Sequence, residues 1–176
     1  DKDKKPKLYE QWLETHQPFH WFAEFYEIIQ GNGGFDVVIG NPPYVEYASI
    51  RKTYKVNDFE TEKCNNLFAL CIERVNNIIS EKSIWGLIVQ LSAVTTISMQ
   101  PLQKFLLTSS ENIFASFFPE RPQHLFDGAH IALTILIANR KKNDSFNLLT
   151  SGIGRTYKEN RNSLFQTLGY INNPFH

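Results

Sequence analysis

The run Phe35-Asp36-Val37-Val38-Ile39-Gly40, cut off by Asn41-Pro42-Pro43-Tyr44, constrains this chain more than any other part of it. Its β-branched and aromatic side chains read as a strand of the kind buried in a parallel sheet. Two consecutive prolines lack backbone N–H groups and fix φ, so a central strand cannot pass through them. The strand therefore ends near Gly40 and delivers Asn41 and Tyr44 to its carboxyl end. In open α/β sheets that edge is where ligands bind.

The flanking pattern supplies the rest of such a sheet. Phe19, Phe22, Phe25, Tyr26 and Ile29 recur at helical spacing and predict an amphipathic helix over 18–30. Gly31-Asn32-Gly33-Gly34 stops it. This glycine run precedes a strand, whereas a loop that cradles a cofactor follows a strand and opens a helix. Residues 45–65 are polar and mixed and read as a long loop or a loop with a helical turn. Leu67, Leu70, Cys71, Val75, Ile78 and Ile79 share one face of a helix over 66–80. A buried strand over 83–91 follows, then a helix near 100–107 and strands over 112–118, 131–138 and 146–150. After Gly152 the signals weaken. The alternation predicts an α/β fold, a mostly parallel sheet with helices on its faces. The strands near 113 and 131 have no helix between them, so they are expected to be antiparallel at a sheet edge. Residues 1–17 form a charged opening segment, 18–150 the main domain and 151–176 an extension.

Net charge does not choose a partner: 18 basic and 18 acidic residues cancel, which neither requires nor excludes nucleic acid. Cys64 and Cys71 lie outside any CxxC pattern and read as free thiols in a reducing cytosol. No metal-ligand spacing and no Ser/His/Asp or Cys/His arrangement stands out, so no metal is expected. No stretch approaches the roughly 20 apolar residues of a membrane span, and the start does not resemble a signal peptide. A cytoplasmic protein with no membrane partner is the expectation.

The loop residues fit one chemical task. The exocyclic amine of adenine is a poor nucleophile because its lone pair is delocalised into the ring. The side-chain oxygen of Asn41 and the carbonyl of Pro42 can accept its two N–H bonds and draw the nitrogen towards a tetrahedral state. Pro42 and Pro43 fix the backbone so that this carbonyl is held in place. Tyr44 supplies a flat face on which an extruded base can stack. The competing reading of the same four residues is a rigid turn.

With its context the loop resembles a known family. Gly34 to Val45 is similar to the catalytic motif region of amino-methyltransferases, in particular the large adenine-N6 DNA methyltransferases of restriction–modification systems, type IIG-like enzymes included. Trp21-Phe22-Ala23-Glu24-Phe25 resembles the helix leading into that strand. Asn66 to Arg74 looks like the family's next helix, and Gly86 to Ser92 like the strand after it. The run from Glu120 to Gly128, followed by the strand Ile131 to Ile137, resembles the late motif of combined restriction–methylation enzymes. The resemblance implies a partial Rossmann-like class I methyltransferase fold, S-adenosylmethionine as methyl donor and double-stranded DNA as substrate. It makes Asn41, Pro42, Pro43 and Tyr44 catalytic.

The family's glycine-rich cofactor loop lies upstream of this strand, and nothing before Phe35 has that form. The chain is therefore expected to be a fragment whose cofactor-binding, target-recognition and nuclease segments lie in the rest of its polypeptide. On the late motif, Arg121, His124, Phe126 and His130 are candidates for DNA or base contacts, and Phe126 or His130 for the second wall of the base pocket. Glu73 and Arg74 read as a solvated helix face, and Asp36 as a strand-edge carboxylate. The rival readings are a methyltransferase for a ribosomal RNA base or a protein glutamine, and a DNA-binding fragment without catalysis.

Overall fold

The computed structural model describes residues 4–17, 19–122, 124–126, 130–142, 145–155, 157, 159 and 163–173. The first half comprises α1 (Lys4–His16), α2 (Trp21–Glu24), β1 (Phe35–Gly40), α3 (Tyr47–Ile50), α4 (Leu67–Ile78) and β2 (Ile79–Gln90). The second half comprises α5 (Ser92–Thr95), α6 (Gln100–Ser109), β3 (Ser110–Phe118), β4 (Leu133–Arg140), β5 (Asn147–Ile153) and β6 (Tyr170–Asn173). All six strands join one mixed sheet in the order β1-β2-β4-β3-β5-β6. β1 and β2 run parallel, so their carboxyl ends open on the same side. β4 runs antiparallel to both β2 and β3. The antiparallel relation of the strands near 113 and 131 is as expected, but they do not form the sheet edge. β4 lies between β2 and β3, and β5 and β6 extend the sheet beyond β3. The α/β class holds, but the sheet is not mostly parallel: the β2–β4, β3–β4 and β5–β6 pairings are antiparallel and only β1–β2 and β3–β5 are parallel. Among the described residues no helix is long and apolar enough to cross a membrane.

The core lies where α4 and α6 cover the sheet. Asn66 caps α4 by accepting from the Phe68 amide at 3.2 Å. Of the face the periodicity identifies, Leu70, Val75, Ile78 and Ile79 sink while Leu67 and Cys71 stay half-buried. Phe68 and Ile72, outside that face, are fully buried and join Val75 in a cluster with Trp85, Val89, Leu102 and Leu136. Each such side chain contributes about 1.5–3 kcal/mol on burial. Glu73 corrects the solvated-face reading, since it is 4% exposed. Its carboxylate accepts from the Glu60 amide at 3.1 Å, the Thr61 amide at 2.9 Å and the Thr61 hydroxyl at 2.7 Å. A buried carboxylate is tolerated when donors surround it, and here it anchors the short 3-10 turn Glu60–Cys64 onto α4. Its neighbour Arg74 lies over the Phe59 ring, 4.9 Å from the centroid. The segment over 45–65 thus contains α3 and this turn, in line with the reading of a loop that carries a helical turn.

Two expectations about the region before the site are corrected. The helix over 18–30 is broken into the four-residue α2 and a π-helical turn, Glu27–Gly31. Its aromatic residues cluster on the strand instead: Phe25 lies 5.1 Å and Trp21 6.1 Å from Phe35, centroid to centroid. The strand β1 is an edge strand, not a buried one. It pairs with β2, and no described strand pairs with its other edge. Val37 and Ile39, on one face of the strand, are 59% and 80% exposed, while Val38 on the other face packs against the core. The glycine run is a helix stop as read: the Gly34 amide donates to Ile28 O at 3.0 Å. Gly34 has φ +126, and a Cβ there would stand 2.5 Å from the Ile79 backbone, so only glycine lets β1 start this close to β2.

Candidate functional site

The site forms at the carboxyl end of β1. Asn41 is exposed there, Pro42 half-buried and Pro43 exposed, and the chain then turns inward at Tyr44. The Tyr44 hydroxyl lies 2.6 Å from Asn41 Oδ1 and 3.0 Å from the Ile88 carbonyl, and its proton can serve either acceptor. Ile88 sits near the carboxyl end of β2, so the loop is tied to the neighbouring strand as well as to itself. The Tyr44 ring meets Phe68 of α4 edge to face, with centroids 6.3 Å apart and planes at 82°. It also packs against a second apolar cluster built on Phe118, Leu125, Leu133 and Leu164. Burial pushes the Tyr44 phenol above its ordinary value of 10.0. The group is therefore neutral near pH 7 and able to donate.

This arrangement orients Asn41. A side-chain amide oxygen has two lone pairs. Tyr44 occupies one of them, which leaves a second acceptor position on an exposed residue. The loop thus offers a positioned carbonyl, a second carbonyl on a proline-stiffened backbone, and a half-buried aromatic ring behind them. Such a set can hold a planar amine. Asp36 is exposed on β1 and takes no part in these contacts.

The late-motif candidates lie on the connection between β3 and β4. Leu125 is 5% exposed and joins the cluster that supports Tyr44. Phe126, its neighbour, is 42% exposed. Arg121 and His130 are exposed and His124 half-buried. The ring contacts draw His124 and His130 together, with centroids 4.3 Å apart, while Tyr44 makes its ring contact with Phe68. Gln123, Asp127 and Gly128 of the same run lie outside the described residues. The Ile88 carbonyl and the Phe68 ring escaped sequence reasoning because a backbone acceptor has no side-chain signature and Phe68 lies off the helix face that the apolar spacing picks out. Leu125 escaped it because a single apolar residue in a polar loop shows no period.

The fold family implies S-adenosylmethionine, and the described residues do not make its cradle. None of the described strands leads through a glycine-rich turn into a helix, and the glycine run present closes a helix before β1. The thiols are also uninvolved: burial raises both Cys64 and Cys71 above the ordinary thiol value.

Comparison with known proteins agrees with the geometry. The curated relative found is named as a type II restriction enzyme and methyltransferase of Methanocaldococcus jannaschii. It is 28% identical over 151 residues, covering 84% of this chain and 12% of the relative. Among solved structures, the type ISP restriction–modification enzyme LlaGI, bound to a DNA substrate mimic, superposes with a TM-score of 0.62. That match is 15% identical and covers 81% of this chain and 17% of that one. The DrdV–DNA complex gives a TM-score of 0.59 at 12% identity, covering 81% of this chain and 18% of that one. These two likenesses speak for the fold, and this chain spans only a small share of each protein's length. The profile of the Eco57I restriction-modification methylases matches residues 2–121, and with more than half of its length inside that match the chain belongs to the Eco57I restriction-modification methylase family.

Proposed function

We infer that this chain is the base-handling part of a site-specific DNA methyltransferase that modifies adenine at N6 within a restriction–modification system. The observation that carries this reading is the Asn41–Tyr44 pair at the carboxyl end of β1, with Asn41 exposed and held by the tyrosine hydroxyl at 2.6 Å. Asn41 Oδ1 and the Pro42 carbonyl accept the two N–H bonds of the adenine amine. The Tyr44 ring stacks on the extruded base. Positioning accounts for most of the rate, since methyl transfer from a sulfonium needs neither a covalent nucleophile nor a metal. S-adenosylmethionine supplies the methyl group. In this reading its cradle, the target-recognition segment and any nuclease belong to the rest of the polypeptide, a view supported by the 12% share of the relative's length that this chain spans. Double-stranded DNA is the substrate, and the work is done in the cytoplasm.

The test uses the intact protein with labelled S-adenosylmethionine and duplex DNA, followed by nucleoside analysis. Label in N6-methyladenine that depends on Asn41 is the expected result. Label found as N4-methylcytosine, or only in RNA or protein, overturns the reading.

A further inference from the structure

Glu120, His124 and His130 are brought to one point by the way the sheet is built. The last residue of β3, Phe118, is paired in register with the first of β4, Leu133. The connection over 119–132 is therefore a loop closed at its base. Glu120 stands just past one side of that base and His130 just before the other. Leu125 is buried in the cluster with Phe118 and Leu133, which folds the middle of the loop back onto its stem and brings His124 with it. The two imidazoles meet at 4.3 Å, with ring planes at 72°. One donor atom from each of the three side chains lies within 4.8 Å of the other two.

We propose that Glu120, His124 and His130 form a binding site for a borderline divalent transition-metal ion, Zn2+ being the fitting member of that class. Two imidazole nitrogens and one carboxylate oxygen are the donor set such ions prefer, whereas Mg2+ and Ca2+ take all-oxygen sets. In a tetrahedral zinc site with bonds of about 2.0–2.1 Å, neighbouring donors stand roughly 3.3 Å apart. Glu120 and His130 are exposed, so their side chains are the ones that would adjust to reach that spacing. Water completes the coordination on the exposed side. The ion ties both sides of the loop base to its middle and so holds Leu125 against the cluster on which Tyr44 packs. The imidazoles of His124 and His130 are then ligands, not readers of base edges. The sequence pattern hid this set because its spacing matches no common zinc motif, and only the pairing of Phe118 with Leu133 closes the distance.

The site is tested on the intact protein after chelator treatment, with Zn2+ in equilibrium dialysis and Co2+ as an optical probe. His130→Gln and Glu120→Gln alter exposed side chains and leave the fold readable by circular dichroism. His124→Ala is the third variant. Wild type is expected to bind one Zn2+ equivalent more than any of the three, or to bind that equivalent on the order of 10²-fold more tightly, since even outer-sphere partners of metal ligands are worth 10–100-fold. Bound Co2+ is expected to show visible d–d absorption that fades in each variant, without sulfur-to-metal charge transfer. Equal Zn2+ stoichiometry and affinity in wild type and all three folded variants overturns the site. So does a Co2+ spectrum dominated by thiolate charge transfer. Neither result bears on methylation by Asn41, so this site and the proposed activity stand or fall separately.

Discussion

The Tyr44 hydroxyl meets Asn41 Oδ1 at 2.6 Å, so the first and last residues of Asn41-Pro42-Pro43-Tyr44 hold each other in place across the two prolines. The same hydroxyl lies 3.0 Å from the Ile88 carbonyl of β2. A stiff backbone alone would fix the loop's path but not the direction of the Asn41 amide. The tyrosine hydroxyl holds that amide oxygen, and Asn41 itself is exposed.

Asn41→Ala removes the positioned acceptor from an exposed residue and leaves β1 intact. Methylation by the intact protein is expected to fall on the order of 10²-fold or more, with an unchanged melting temperature. Activity within a few-fold of wild type removes Asn41 from the reaction.

Tyr44→Phe keeps the ring and deletes the hydrogen bond that orients Asn41. The loss is worth about 0.5–1.5 kcal/mol, a roughly 2- to 10-fold drop in rate. Tyr44→Ala also loses base stacking, about 1–3 kcal/mol, and is expected to be much the slower of the two. With 2-aminopurine at the target position, Tyr44→Ala should fluoresce more brightly than wild type because the quenching ring is gone. Equal emission and equal rates in all three proteins sink the stacking role.

The Tyr44 phenol is pushed above 10.0 by burial, so the protonated form is favoured in the folded protein. Its contribution to stability is complete below the unfolded value of about 10 and is lost as pH rises through the higher folded value. Melting temperature is expected to show no tyrosine-linked change near neutrality and to fall above pH 10, less steeply in Tyr44→Phe. An identical alkaline fall in the variant contradicts this assignment.

Glu73 accepts from three donors while 4% exposed. Glu73→Leu strands the buried Thr61 donors, each at about 1–3 kcal/mol. Chemical denaturation is expected to reveal that loss, and a variant as stable as wild type refutes the anchoring role of the carboxylate.

The 176-residue chain alone, without a strand-to-helix glycine turn, is expected to bind S-adenosylmethionine no more tightly than about 1 mM, or −4 kcal/mol. Micromolar binding by calorimetry would mean that a cradle exists among residues read here as unable to form one.

Local chemistry made part of this protein legible from the sequence. Pro42-Pro43 must end β1, the glycine run ending at Gly34 must stop the helical segment before it, and Leu70, Val75 and Ile78 must face inward, because these follow from φ restriction, backbone freedom and period. The placement of Asn41 and Tyr44 at the carboxyl end of β1 was legible for the same reason. Burial that depends on distant partners was not. Val37 and Ile39 read as core, yet β1 pairs with a described strand on one edge only. Glu73 reads as solvated because its donors come from a turn whose docking no helical period announces. Glu120, His124 and His130 belong to one loop in the sequence, but only the pairing of Phe118 with Leu133 makes them neighbours in space. Sequence determines what each residue can do within a few neighbours of itself. Which residues share an environment is decided by strand pairing and packing, which join positions far apart along the chain.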